Sequence, residues 1–589
     1  MKGDANDTQR GISRRRFLQA AGGTTLALGG APGILGRIAS PDPASAAVSS
    51  GNRHNILFIL TDQEQYLREL PSGLRLPGRE RLRKMGVTFT NHQIASAVCT
   101  SSRSVIYTGQ HIQHTKLFDN LDFPWTKDLD PEIRTLGDML GDTGYYAAYK
   151  GKWHLSKQLG THDERALPDP KLTEVVASYG FKDYVGIGDV IGMTQGGYLN
   201  DHIIAAQAKR WLRVRGRPMQ EQGKPWFLAV NLVNPHDVMF YNTDAPGRAV
   251  QDDGRLLLKI AREPDVALYR DQWDVALPES RKQAFDAPGR PRAHLDYQLA
   301  RGAMVGNFPN EDDRWRRLRN YYFNCIRQTD ALVLDLLSEL DDLGLTENTI
   351  IVMTADHGEL GGAHGTHGKG ATAYQEQNHV PFIVAHPGYA QSAGKSCAAV
   401  TSHLDIAPTL AAWSGAAPKG LPGRDFTSLL AQPEKATSDA LRPGSVYCFN
   451  MYAYLDSDFI LKVATLLNAG KPPEEIKRQG LRPDMTKRGA IRSVFDGRYK
   501  FTRYFSPIQH NAPRTIEEIL GVNDVELFDL ESDPNEMQNL AVEAMDHGDL
   551  MLAMNAKLNT LIEQEVGEDD GRFLPVGDEV DWAVTKFDP

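Results

Sequence analysis

The chain has 589 residues, 41% of them hydrophobic and 24% charged, with a formal net charge of −10. That length gives room for roughly three domains, and four cysteines (Cys99, Cys325, Cys397 and Cys448) exclude a disulfide-dense scaffold. The balanced composition excludes a disordered tail, and 75 acidic against 65 basic residues argue against a general nucleic-acid binder.

Residues 1–46 differ in texture from the rest. Ser13-Arg14-Arg15-Arg16-Phe17-Leu18 precedes a mildly apolar stretch rich in Gly and Ala, and Ala44-Ser45-Ala46 fits a small-x-small cleavage site. Polar residues and proline interrupt the apolar stretch, so it does not make a stable membrane span. The segment resembles the twin-arginine export signal of bacteria. That resemblance implies passage through the twin-arginine machinery to the periplasm or beyond. It also suits a cargo that takes up a metal or a covalent modification before export.

The run 55–61, NILFILT, is almost continuously apolar and meets an acid, Asp62, at its end. This pattern fits a strand buried on both faces, as in a parallel α/β sheet. It recurs at 226–233, ending in Asn234-Pro235-His236, and at 349–354, ending in Ala355-Asp356-His357. A further strand is predicted at 380–384, where Pro381 suits the start or an edge. The spacing predicts a helix over 316–343, with Gly344 just beyond. Strands alternating with helices predict a large, mainly parallel sheet flanked by helices. In such sheets ligands gather beyond the carboxyl ends of the strands, where Asp62, His236, Asp356 and His357 all fall.

Residues ~240–315 lack strong periodicity and read as an insertion shaping a pocket. After 441 the texture changes. Short strands are predicted at 445–449, 491–495, 499–504 and 526–530, with a hairpin turn at Asp496-Gly497 and a helix over 539–565. The division expected is therefore 1–46, a catalytic part 47–440, and an antiparallel sheet plus helix over 441–589.

Three segments carry chemistry: Cys99-Thr100-Ser101-Ser102-Arg103, Lys150-Gly151-Lys152-Trp153-His154, and Thr354-Ala355-Asp356-His357-Gly358-Glu359. Ser402-His403-Leu404-Asp405 and Glu526-Leu527-Phe528-Asp529-Leu530 follow in order. The ordered set resembles the sulfatase family, which has an alkaline phosphatase-like fold, and spans nearly all of the chain after 46.

The resemblance implies that Cys99 is oxidised to formylglycine, an aldehyde, by a formylglycine-generating enzyme. A serine that attacked a sulfate ester would itself be left as a stable ester. A hydrated aldehyde has two hydroxyls on one carbon, so one attacks and the other expels sulfate. Arg103 matches the residue that orients the hydrate. Asp62, Gln63, Asp356 and His357 match the metal ligands. Their oxygens favour Ca²⁺ or Mg²⁺, and the imidazole admits Mn²⁺ or Zn²⁺. Lys152, Lys369 and Arg103 match residues that neutralise the sulfate oxygens. His236 or Lys369 would protonate the leaving oxygen, and His154 would take the proton from the second hydroxyl. His364 and His367 read as parts of a Gly-rich loop carrying Lys369, rather than as a zinc cluster with His357. Trp153 and Tyr149 read as packing residues.

Two departures stand out. The family's usual core is Cys-x-Pro-x-Arg, and Ser101 replaces the proline. Gln63 stands where many relatives carry a second Asp. The substrate expected is a small-molecule or carbohydrate sulfate ester. Two other readings stay open: a phosphodiester or phosphonate monoester hydrolase of the same superfamily, and a non-catalytic glycan- or metal-binding relative in which Ser101 prevents maturation.

Overall fold

The run 55–61 forms β1 (Asn55–Asp62), and all eight of its residues are buried. The computed structural model describes residues 53–585 apart from 162, 164, 418 and 578, so the export-signal reading of 1–46 lies outside the described residues. The strands that follow are β2 (Val87–Gln93), β3 (Tyr146–Gly151), β4 (Gly160–Thr161), β5 (Asp189–Val190), β6 (Trp226–Pro235), β7 (Thr349–Ala355), β8 (Phe382–Ala385) and β9 (Ser396–Ser402). Seven of them make one sheet in the order β3-β6-β1-β7-β8-β2-β9. It is parallel except at β8, which runs antiparallel to β7 and β2. Within β1, Ile56, Phe58 and Leu60 enter one apolar layer while Leu57 and Ile59 enter the other. Both faces are covered, which is why the strand reads as a continuous run and not as an alternation.

The helices that frame the site are α1 (Cys99–Thr108), α2 (Arg292–Val305), α3 (Asp312–Asp342) and α4 (Ala544–Glu565). A second, antiparallel sheet runs β10 (Ser445–Phe449), β11 (Ala490–Phe495), β12 (Tyr499–Phe505) and β13 (Asp524–Asp529), each strand paired with the next. The Asp496-Gly497 turn closes between β11 and β12. Gly497 takes φ +103°, and the Asp496 amide donates to the Tyr499 carbonyl at 3.1 Å. Val446, Val494, Phe501 and Leu527 of this sheet share one apolar cluster with Leu558 and Leu561 of α4, and also with Val98, Phe240 and Tyr297.

Several elements depart from the expected pattern. Strand β8 begins only at Phe382, in the interior of the sheet. Pro381 has no N–H to give to the ladder and stands just before it. Helix α3 starts earlier than residue 316, with Asp312 and Asp313 in its first turn, where carboxylates favour the helix dipole. The stretch 240–315 is less irregular than its composition predicts, because it contains α2. That helix buries Asp296 and Arg301 along with Tyr297, Ala300 and Met304, so it shows no clean apolar stripe. The terminal helix is preceded by a 3₁₀ turn, Leu540–Glu543. Strands β2, β3 and β9 were not expected. Among the described residues no helix is long and apolar enough to cross a membrane.

Strands β3, β6, β1 and β7 are parallel, so their carboxyl ends share one edge. Gly151 pairs with Asn231, Asp62 with Pro235, and Thr61 with Ala355. The residues just past those ends are Lys152, His236 and Asp356.

Candidate active site

Cys99 is the first residue of α1 and Arg103 lies four residues on, so both side chains leave the same face of the helix. Both are buried. The Cys99 Sγ lies 3.2 Å from His357 Nε2 and 3.6 Å from Asp62 Oδ1. Arg103 donates from Nε to Asp356 Oδ2 at 2.9 Å, from Nη2 to Asp62 Oδ2 at 3.3 Å, and from Nη1 to the Lys152 carbonyl at 2.9 Å. Burial works against its charge, but Asp356 and Asp62 outweigh that and raise its pKa, so it stays a cation. Ser102 Oγ donates to the Asp356 carbonyl. Ser101 Oγ is buried with no hydrogen-bond partner.

Asp62 uses its two oxygens differently. Oδ2 takes Lys152 Nζ at 2.7 Å together with Arg103. Oδ1 faces Cys99 Sγ and, at 3.7 Å, His357 Nε2. Burial alone would raise the Asp62 carboxyl, but Lys152, His236, Lys369 and Arg103 hold it well below the usual carboxylate range. His357 Nδ1 lies 3.0 Å from the Gly358 carbonyl, which can only accept, so Nδ1 carries the proton. The bare Nε2 therefore points at Asp62 Oδ1, and at Asp356 Oδ1, 3.6 Å away. The Cys99 thiol, 3.2 Å away, can donate to that lone pair, and a divalent cation among the four groups would take the same place. An imidazole whose other nitrogen is fixed by a carbonyl is the usual form of a metal ligand. One ligand atom each from Asp62, Cys99, Asp356 and His357 lie within 4.8 Å of one another. Two carboxylate oxygens and an imidazole nitrogen in this cluster fit a divalent metal.

Gln63 is placed differently from its neighbours. Its backbone takes φ +71°, its amide donates to Asp356 Oδ1 at 3.1 Å, and its carbonyl accepts from Tyr322 Oη at 2.9 Å. Its side-chain oxygen accepts from Lys369 Nζ and its Nε2 donates to Glu359. Gln63 thus ties Lys369 to the site, with Lys369 Nζ 3.9 Å from Asp62 Oδ1. The Gly-rich loop bearing Lys369 packs closely: a Cβ on Gly370 would lie 2.1 Å from the Tyr297 ring.

His154 takes φ +58°, held by its backbone amide on Asp189 at 2.7 Å. Its ring is buried, and neither ring nitrogen has a hydrogen-bond partner. The nearest carboxylate oxygen is Asp122 Oδ2, 3.8 Å from Nε2. Burial and Lys152 oppose protonation of this ring, but Asp122 and Cys99 prevail and raise its pKa. His236 begins a 3₁₀ turn directly after β6 and lies edge-on to Phe240. Burial, Lys369 and Lys152 hold it well below the usual imidazole range. Lys152, His154 and His236 line one cavity of about 50 Å³.

His364 and His367 do not join His357. His364 stacks on Tyr374 and pairs with Gln283, and His367 accepts from Arg301 and stacks on Phe308. Tyr149 and Trp153 pack with Tyr107 and Phe181. Three further residues shape the site. Glu359 receives Gln63 and the Gly368 amide at 2.6 Å. Asn231 accepts from Arg103 Nη1 at 3.3 Å and from Tyr107 Oη at 2.7 Å. Asp189 fixes Trp153 and His154 by their amides. Asn231 had a sequence signal, a polar residue inside a buried apolar run. Glu359 sat two places after His357. Asp189 had none.

The sulfatase family model matches residues 54–416. The ulvan-active sulfatase of Formosa agariphila is 27% identical over 399 residues, covering 66% of this chain and 67% of that protein. The solved structure of a 2-O GAG sulfatase superposes with a TM-score of 0.62 at 19% identity, over 89% of this chain and 95% of that one. The phosphonate monoester hydrolase of Agrobacterium radiobacter gives 0.60 at 19% identity, over 87% and 96%.

Proposed function

The chain belongs to the sulfatase family of sulfuric ester hydrolases, and on that premise we propose that its reaction is the metal-dependent hydrolysis of a sulfate ester at Cys99. One observation carries this reading: Cys99 converges with Asp62, Asp356 and His357 within 4.8 Å. Arg103 and Lys152 bear on the same carboxylates.

Oxidised to formylglycine, position 99 supplies a hydrated aldehyde, whose two hydroxyls allow attack and release at one carbon. A divalent metal held by Asp62, Asp356 and His357 supplies Lewis acidity. The chain's own groups do the rest. Arg103, Lys152 and Lys369 are fixed before substrate arrives, so they neutralise the sulfate oxygens without reorganising. The first turn of α1 adds its positive end to the same place. His154, unpartnered at both nitrogens, takes the proton from position 99 as sulfate leaves. His236 lines the same cavity and gives a proton to the leaving oxygen. Burial, Lys369 and Lys152 all disfavour its charged form, and a bound sulfate offsets the two lysine charges. Lys369 is the other donor within reach of the site, tied there by Gln63.

The Asp62-Gln63 pair favours a second reading, since a neutral amide beside Asp62 also suits a phosphodiester or phosphonate monoester of equal charge. A relative from Bacteroides thetaiotaomicron, 25% identical, is named an N-acetylglucosamine-6-O-sulfatase, which makes a carbohydrate sulfate one substrate class to test. We also propose that residues 1–46 direct export to the periplasm or beyond.

Mass spectrometry of the Cys99 peptide, from protein made with its maturation enzyme, tests the nucleophile. The expected product is the aldehyde. Thiol throughout, with no ester hydrolysed, would support the binding-protein reading instead. For the metal, added Ca²⁺ is expected to raise the melting temperature, and Asp62→Asn to abolish that rise; an unchanged rise would reject the ligand set.

A further inference from the structure

The cavity that Lys152, His154 and His236 share has a second wall of a different chemistry. Phe123, Ile191, Phe240, Leu258, Met304 and Met451 form it, from six segments of the chain. Phe240 ends the 3₁₀ turn that His236 begins, Leu258 comes from the insertion after β6, Met304 from α2, and Met451 from the loop after β10. Asn120, Asp122 and Tyr454 are the polar residues of the lining beyond the catalytic ones. Asn120 Oδ1 accepts from the Thr100 amide at 3.4 Å, and Asp122 lies against His154. A larger groove of about 570 Å³ meets the cavity at Lys152. Val185, Ile187, Val190 and Ile203 line it together with Arg165, Asn200 and Gln207, so the approach is mixed and the apolar surface is concentrated on the inner wall.

Resting on the sulfate-ester reading, we propose that the alcohol half of the substrate is an apolar aryl or compact alkyl group carrying a single sulfate. A sugar placed against this wall would turn most of its hydroxyls to carbon, and each one left without a partner costs about tenfold or more in affinity. An aryl or alkyl group instead removes its own apolar surface and that of the wall from water. The methionines suit such a group because their unbranched, polarisable side chains adapt to its outline. The Asp122 carboxylate disfavours chains with further sulfates. The anion is recognised by the three cations, so the wall sets the choice of alcohol.

Calorimetric binding of phenyl sulfate and of glucose 6-sulfate compares two alcohols behind one anion. Cys99→Ala protein, or unmatured wild type should that variant not fold, removes turnover from the readout. Phenyl sulfate is expected to bind at least tenfold more tightly. Met304→Gln and Leu258→Asn are each expected to cut that ratio at least threefold, since both put a polar group on the wall. A ratio of one or less, or a ratio that neither substitution changes, would overturn the assignment. If wild type hydrolyses neither ester while phenyl sulfate keeps its advantage, the pocket assignment stands and the hydrolase reading falls.

Discussion

Cys99 and Arg103 work because one helical turn separates them. Cys99→Ala is expected to abolish turnover while leaving the unfolding midpoint unchanged, checked by ester hydrolysis and a thermal melt. Arg103→Lys keeps the charge but loses a planar fork shared by Asp62, Asp356 and the Lys152 carbonyl. A fall in kcat/KM of roughly 100-fold or more is expected, read from initial rates. Ser101 is more lenient. It sits in the first turn of α1, ahead of the Ser102 amide that donates to the Val98 carbonyl at 2.9 Å. A proline there forfeits no helical hydrogen bond and removes a buried, unpartnered hydroxyl. Ser101→Pro is therefore expected to fold with stability within about 1 kcal/mol of wild type, measured by urea unfolding.

At the scale of elements, two buried charge clusters fasten the site to its surroundings. Arg79 lies between Glu64, two residues after Asp62, and Asp330 of α3, donating to Asp330 Oδ1 at 3.0 Å and to Glu64 Oε1 at 2.7 Å. Asp330 also caps the short helix Pro77–Met85 by accepting from the Gly78 and Arg79 amides at 2.8 Å. Arg79→Met leaves two carboxylates buried without a cation, and about 3–5 kcal/mol of stability is expected to go, read from denaturant midpoints. The second cluster joins the segment after α1 to the end of α4. His111 Nε2 lies 3.1 Å from Glu565, which also accepts from Arg442 at 2.6 Å. Burial opposes the charged ring, but Cys448 and Glu565 push it up to about 9. A group raised in the folded state stabilises fully below its unfolded pKa of about 6.5 and loses that effect as pH climbs through the folded value. Stability should therefore fall between pH ~6.5 and about 9, and His111→Gln should flatten that fall. Equal slopes in the two proteins would exclude the pair as its cause.

Elements such as β1, β6 and β7 were legible because burial on both faces leaves an unbroken apolar signature. Helix α2 was not, because Asp296 and Arg301 face inward and erase the stripe. Strands β2 and β9 were missed because their threonines and serines dilute the same signature. The site was legible where motif spacing is local, as in Cys99 with Arg103 or Asp356 with His357. It was illegible where partners meet only through the fold: the motifs bring Gln63 and Lys369, 306 residues apart, to one site, but nothing in them makes the two a hydrogen-bonded pair.

Across the whole molecule, the parallel sheet gathers Asp62, Asp356, Lys152 and His236 at one edge, and α1 brings Cys99 and Arg103 to meet them. The insertion and the second sheet's loops then close an apolar wall over that charged floor. This division explains how one reaction centre is paired with a particular alcohol without changing the centre itself. The most direct test is a comparison of kcat/KM for an aryl sulfate and an aryl phosphate diester, using matured wild type and Cys99→Ala. Clear hydrolysis of the sulfate ester by wild type, in preference to the diester and lost in the variant, is the expected result. A strong preference for the phosphate diester, or full activity in the variant, would contradict it.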